Sequence, residues 1–125
     1  MALTFMQAIA REEGYGPPQN RATRDNNPGN LDFEPWMEEQ YGAVLETIPT
    51  GYHESPRFAH FPTVDAGWAA MRELLTTDYA GLTIEAALNR WAPPSDGNDT
   101  SAYTANVCAL CEVTPATILT TELIG

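Results

Sequence analysis

The chain predicts a mainly helical α+β domain with a small β-hairpin flap, and three observations carry that prediction. Apolar residues recur at helical spacing in four separate stretches, and polar residues suited to capping stand before most of them. The one long region without such spacing is acidic and repeatedly interrupted by Pro and Gly.

In TFMQAIAREEGYG, Met6, Ile9, Ala10 and Glu13 fall at i, i+3, i+4 and i+7. Thr4 with Gln7 three residues on is a capping-box pattern, which predicts a helix over residues 5–13 ended by Gly14. Residues 14–30, GYGPPQNRATRDNNPGN, cannot extend it and read as an irregular loop. A short strand is expected at residues 31–33. Residues 34–56 are broken by Pro35, Gly42, Pro49, Gly51 and Pro56, and read as a variable flap. A hairpin between residues 41–48 and 57–61 is expected there. Thr63 then caps a central helix with Val64, Trp68, Met71 and Leu75 on one face. Thr83 caps the next, striped by Ile84, Ala87, Leu88 and Trp91 and stopped by Pro93 and Pro94. After the polar loop SDGND comes a helix over residues 100–111 with Tyr103, Val107 and Leu110 on one face. Thr114 and Pro115 open a fifth, short helix through Ile118 and Leu119. No internal repeat is visible.

A chain of 125 residues, 43% hydrophobic, suits one domain over residues 1–125. The net charge of −11 argues against nucleic acid, whose phosphates need Lys and Arg, and against anionic membrane surfaces. It selects no partner by itself: it confers solubility or marks a surface that meets a basic protein. No apolar run approaches a membrane span and no secretion signal is evident, so synthesis in the cytoplasm is expected. Cys108 and Cys111 share a helical face and read as reduced core thiols; with only His53 and His60 elsewhere, neither a metal site nor a cofactor is expected.

The residue with the most chemistry is Glu13. Its place in the apolar stripe predicts partial burial, and a carboxyl kept protonated by desolvation can donate a proton to a leaving oxygen, as glycosidic cleavage requires. Glu12 lies about 60° to the other side of Ile9, at the stripe's edge, which makes it the weaker candidate on geometry.

Two strings stand close together: EEGYG (residues 12–16) and RDNNPGNL (residues 24–31). Together they resemble the lysozyme-like superfamily, in which a helix-ending glutamate precedes a polar loop lining a polysaccharide cleft. Glu13-Gly14-Tyr15 looks like the Glu-Gly-aromatic start of phage lysozymes, where the matching glutamate is the general acid. Asn27-Pro28-Gly29-Asn30-Leu31 looks like the NPGN loop of small phage and bacterial proteins of lysozyme-like or virion-structural kind. Bacterial glucosaminidases show a similar order of segments, here residues 12–16, 26–31, 58–61, 66–75 and 100–103; aligned on their Glu-Ser-Gly-Trp-Gly pattern, the acid falls on Glu12. Two features depart from phage lysozymes. Thr23 and Asp25 sit in a proline-flanked loop rather than a hairpin, and the chain is acidic where those enzymes are commonly basic.

The resemblance implies a monomeric peptidoglycan glycosidase, a muramidase or lytic transglycosylase, working as a phage lysis protein or in the virion. It would act on the cell wall after release or from the particle. The alternative it implies is a non-catalytic virion structural or binding protein with the same fold. Asn27 and Asn30 offer carboxamides matching an acetamido group, or else stabilise their turn. Tyr15 and Tyr103 are candidates to meet the sugar; Trp68 and Trp91 read as core. Asp25 and Asp32 are candidates for a second carboxylate, and Arg24 for an ion pair with Glu12 or with a muramyl lactyl group.

Overall fold

Thr4 and Gln7 close the start of the first helix reciprocally, Thr4 N–H donating to Gln7 Oε1 at 3.0 Å and Gln7 N–H to Thr4 Oγ1 at 3.2 Å. The computed structural model describes residues 1–125 and is mainly helical, with one two-stranded antiparallel hairpin. Its elements are α1 (Phe5–Glu12), α2 (Arg21–Arg24), α3 (Pro35–Tyr41), β1 (Val44–Leu45), β2 (Ala59–His60), α4 (Val64–Asp78), α5 (Ile84–Trp91), α6 (Thr100–Cys111) and α7 (Thr121–Ile124), with a 3-10 turn at Pro94–Asp96. None of these helices is long and apolar enough to cross a membrane. The chain forms two compact units, one made of Met1–Glu12 with Arg72–Gly125, the other of Glu13–Met71.

In the first unit α1 packs on α6 and α7, and α5 on α6. The buried face of α1 is Phe5, Ala8, Ile9 and Ala10. It is turned from the expected stripe, so Met6 is only half-buried. Thr83 caps α5 through Ala86 N–H at 3.1 Å, and Ile84, Ala87 and Leu88 are buried as their spacing predicts. Trp91 is half-buried and meets Tyr79 edge to face at 5.6 Å.

Helix α6 has the expected bounds but buries Thr100, Thr104, Val107, Cys108 and Cys111, not Tyr103 and Leu110. Apolar and small residues surround this helix, so periodicity alone selects no face. The threonines go inside because their hydroxyls donate to main-chain carbonyls, Thr100 to Ala92 O at 2.5 Å and Thr104 to Thr100 O at 2.8 Å. The short helix expected from Thr114 does not form. Residues there pair like a strand instead: Ile84 N–H donates to Thr117 O at 2.9 Å, Leu119 N–H to Leu82 O at 2.8 Å, and Thr83 bridges Ile118. Main-chain bonds to a neighbour outcompete a single turn whose nucleation is costly. Six residues beyond Thr114, Thr120 caps α7 through Leu123 N–H at 3.1 Å.

In the second unit the expected loop over residues 14–30 contains a one-turn helix, α2, capped by Asn20 Oδ1 accepting Ala22 N–H at 2.9 Å. The region read as a flap contains α3, with Pro35 in its first turn and Gly42 at φ +70 closing its C-terminus. That is a proline-in, glycine-out signature of a helix, obscured by the acidic composition. The expected hairpin forms with Val44 opposite His60 and Leu45 opposite Ala59, and the strand expected at residues 31–33 is one bridge, Asp32 to Phe58. Buried residues of this unit include Ala22, Leu31, Met37, Ala43, Ala59 and Phe61.

Candidate active site

Helix α1 ends and the chain turns through Gly14, whose φ of +80 is open to glycine and strained for other residues. Glu13 is the residue at this turn and is half-buried, at the margin rather than the centre of the apolar face. Its partner is the last asparagine of the NPGN string. Asn30 Nδ2 donates to Glu13 Oε1 at 3.2 Å and reaches the Glu13 carbonyl at 3.3 Å, while Asn30 Oδ1 is shielded from solvent and receives no hydrogen bond from the protein. Glu13 and the asparagine loop therefore meet at Asn30.

The loop that presents Asn30 is held rigidly. Asn26 and Asn30 have φ of 50 and 48, a left-handed conformation that asparagine tolerates better than most residues. Asn26 Nδ2 donates to Phe61 O at 3.0 Å. Asn27 is completely buried, its Nδ2 donating to Leu31 O at 3.0 Å and Ala59 O at 2.9 Å and its Oδ1 accepting Leu31 N–H at 2.9 Å. Both amide protons of Asn27 are thus spent on main chain, and the sugar contact considered for it gives way to the turn-holding role. Gly67 lies under the same loop: a Cβ there would stand 2.0 Å from Asn26 O and 3.0 Å from Pro28 Cδ.

Glu12 faces differently. Its Oε1 accepts Asn106 Nδ2 at 2.9 Å, a bond within the first unit. The two neighbouring glutamates, each matching one of the two patterns the sequence resembles, are distinguished by their partners: Glu12 is tied to α6 and Glu13 to the asparagine loop.

Asp25 belongs to a second constellation that sequence reading only half anticipated. It is 3% exposed at the end of α2, its Oδ1 3.4 Å from His60 Nδ1 and its Oδ2 buried without a donor. Beside it lies Glu46, 4% exposed, gripped by the Arg21 guanidinium through Nε at 2.9 Å and through Nη2, and by the N–H groups of Arg57 and Phe58 at 2.9 and 2.8 Å. Burial first, then the hydrogen bond and charge of Glu46, raise Asp25 to about 7 despite Arg24 and Arg21. Burial acts to raise Glu46 as well, but Arg21, the Phe58 N–H, Asp25 and the Arg57 N–H overcome it and lower Glu46 to about 2. Glu46 is the ion of the pair and Asp25 the proton carrier. No sequence signal singled out Glu46 or His60, since their partners lie 25 and 35 residues away in the chain.

Removing the Glu46 charge tests its structural role. Glu46→Gln is expected to destabilise the protein by about 2 kcal/mol in urea titration, because Arg21 loses its charge-assisted fork while remaining largely covered.

The other expected residues take the following places. Tyr15 is half-buried and meets Trp68 edge to face at 5.9 Å; Trp68, expected in the core, is half-buried too. Tyr103 is half-buried on α6, in the first unit. Asp32 is exposed and pairs with Arg57 at 2.6 Å. Arg24 pairs with Glu54 at 3.7 Å and lies 4.7 Å over Tyr52. Cys108 and Cys111 are buried and free, burial raising both thiols and carrying Cys111 to about 11, which disfavours the thiolates a metal would need. No group of three or more His, Cys, Asp or Glu side chains gathers to hold a metal. No family model matches the chain, and no curated protein matches it.

Proposed function

We propose that this protein is a peptidoglycan glycosidase with a lysozyme-like arrangement, and that Glu13 is its general acid. The observation that supports this reading is the Glu13–Asn30 pair, where a half-buried carboxyl at a helix end receives the amide of the NPGN loop. With Asn30 donating to Oε1, the proton of the acid form resides on Oε2, from which it transfers to a bridging oxygen as the sugar gains oxocarbenium character. The substrate class, the backbone of N-acetylmuramic acid and N-acetylglucosamine, rests on the resemblance of residues 12–16 and 24–31 to lysozyme-like proteins.

Asp25 is buried and Asp32 is paired with Arg57, so both carboxylates considered as a second catalytic group are committed elsewhere. That favours completion by the substrate itself over a second carboxylate. Either the muramyl 6-hydroxyl closes on C1 while the Glu13 carboxylate, having given up its proton, takes the hydroxyl's, or an acetamido oxygen attacks C1 and water later opens the ring. A phage lysis or virion setting rests on the resemblance of residues 12–16 and 24–31. A second reading, a non-catalytic virion structural or binding protein, is favoured by the net charge of −11, which opposes approach to an anionic wall.

The test is purified peptidoglycan incubated with wild type, Glu13→Gln and Glu12→Gln, read by turbidity and by mass spectrometry of released muropeptides. Wild type and Glu12→Gln are expected to clear it, leaving anhydro ends where the 6-hydroxyl closes the ring and reducing ends where the acetamido oxygen does, and Glu13→Gln is not. No release by wild type leaves the binding reading; loss in Glu12→Gln alone moves the acid by one residue.

A further inference from the structure

We propose that Asp25 is a proton-operated latch on the asparagine loop, closing the loop onto the hairpin when neutral and loosening it when ionised. The latch lies entirely within residues 13–71, and its readout is loop protection rather than sugar cleavage, so it stands apart from the glycosidase reading.

Three consecutive residues grip β2 and its continuation. Asp25 O accepts Phe61 N–H at 2.9 Å, Asn26 Nδ2 donates to Phe61 O at 3.0 Å, and Asn27 Nδ2 donates to Ala59 O at 2.9 Å. At the head of this seam the Asp25 carboxyl is buried beside Glu46, with Oδ2 lacking any donor. An ionised carboxylate there would hold a desolvated, unmatched oxygen against a second negative charge. A neutral carboxyl removes both penalties, because its own O–H becomes the donor in the hydrogen bond to Glu46.

The charged groups around Asp25 do not undo this. From α2 come Arg21, held by Glu46, and Arg24, paired with Glu54; from β1 comes Glu46; from β2 comes His60, 3.4 Å from Oδ1; from the connection between the strands come Glu54 and Arg57, whose side chain pairs with Asp32. The two arginines that lower Asp25 are outweighed by its burial and by Glu46.

The direction of the pH effect follows from linkage. Asp25 is raised from 3.8 to about 7, so its contribution to stability is complete below about pH 4 and is lost as pH rises through about 7. Glu46 is lowered from 4.5 to about 2, so its contribution is present above pH 4.5 and lost only in acid. Between pH 5 and 8, then, Asp25 is the member of the pair that changes.

The experiment is amide hydrogen exchange on the full chain between pH 5 and 8, following the Phe61 and Leu31 N–H groups in wild type, Asp25→Asn and His60→Gln. In wild type the protection factors are expected to fall by up to about tenfold per pH unit towards pH 7 and then level, the limit for one linked proton. In Asp25→Asn they are expected to stay flat, and in His60→Gln to fall as in wild type. Constant protection in wild type overturns the latch, as does a decline that survives Asp25→Asn or vanishes in His60→Gln. Should Asp25→Asn fail to fold, carbon-13 titration of the Asp25 carboxyl in wild type decides: a midpoint near 7 supports the latch and one near 4 overturns it.

Discussion

Gly67→Ala is expected to destabilise the protein by about 3 kcal/mol or more, enough to leave a marginally stable chain partly unfolded at 37 °C. Two effects oppose each other at this site. Alanine is the better helix former in the body of α4, by about 1 kcal/mol. Against that, the added Cβ would lie 2.0 Å from a main-chain carbonyl, Asn26 O, and would touch Pro28 as well. Relief requires moving the Asn26 backbone by more than an ångström, while its side chain is bound to Phe61 and its neighbour Asn27 is bound to Leu31 and Ala59. Overpacking against backbone so restrained exceeds the propensity gain. Thermal unfolding by circular dichroism checks it, with Ala69→Gly on the exposed face of the same helix as the reference. That variant is expected to lose only about 1 kcal/mol. A Gly67→Ala protein that melts at or above the wild-type temperature would mean that loop and helix separate freely.

Glu13→Gln is expected to lower the rate of peptidoglycan cleavage by about 10²- to 10⁴-fold, the range supplied by one positioned general acid, with little change in stability. A glutamine keeps the shape of the side chain and an oxygen for Asn30 Nδ2, so the bond at 3.2 Å has a neutral equivalent. What it lacks is the proton that the proposed general acid would deliver to the leaving oxygen. Measuring kcat and KM separately distinguishes the two roles: an effect on kcat identifies proton delivery, whereas a rise in KM with kcat unchanged would make Glu13 a binding residue. Asn30→Ala should produce a smaller loss, about tenfold, by freeing the Glu13 carboxyl from the amide that orients it.

Much of this arrangement was legible from residue order. The capping box at Thr4 and Gln7, the caps at Thr63 and Thr83, and the stop at Pro93 and Pro94 all act within one helical turn, where sequence spacing and spatial contact coincide. Helix α3 was also readable, from Pro35 and Gly42, but acidic composition masked it. The buried face of α6 was not readable. Its threonines satisfy their hydroxyls on nearby carbonyls, and a polarity pattern assigns such residues to solvent.

The division between the two kinds of information runs through the site itself. Chain order alone determined that a carboxylate would end the first helix and that an asparagine turn would follow, because glycine, proline and asparagine dictate backbone conformation locally. Only the tertiary structure decided which of two adjacent glutamates meets Asn30, why Asn27 turns inward, and that Asp25 is buried beside Glu46. Those outcomes depend on desolvation and on hydrogen bonds between residues 17 to 94 positions apart, as with Glu13–Asn30 and Glu12–Asn106. Such partners are brought together by packing, and no local pattern encodes them.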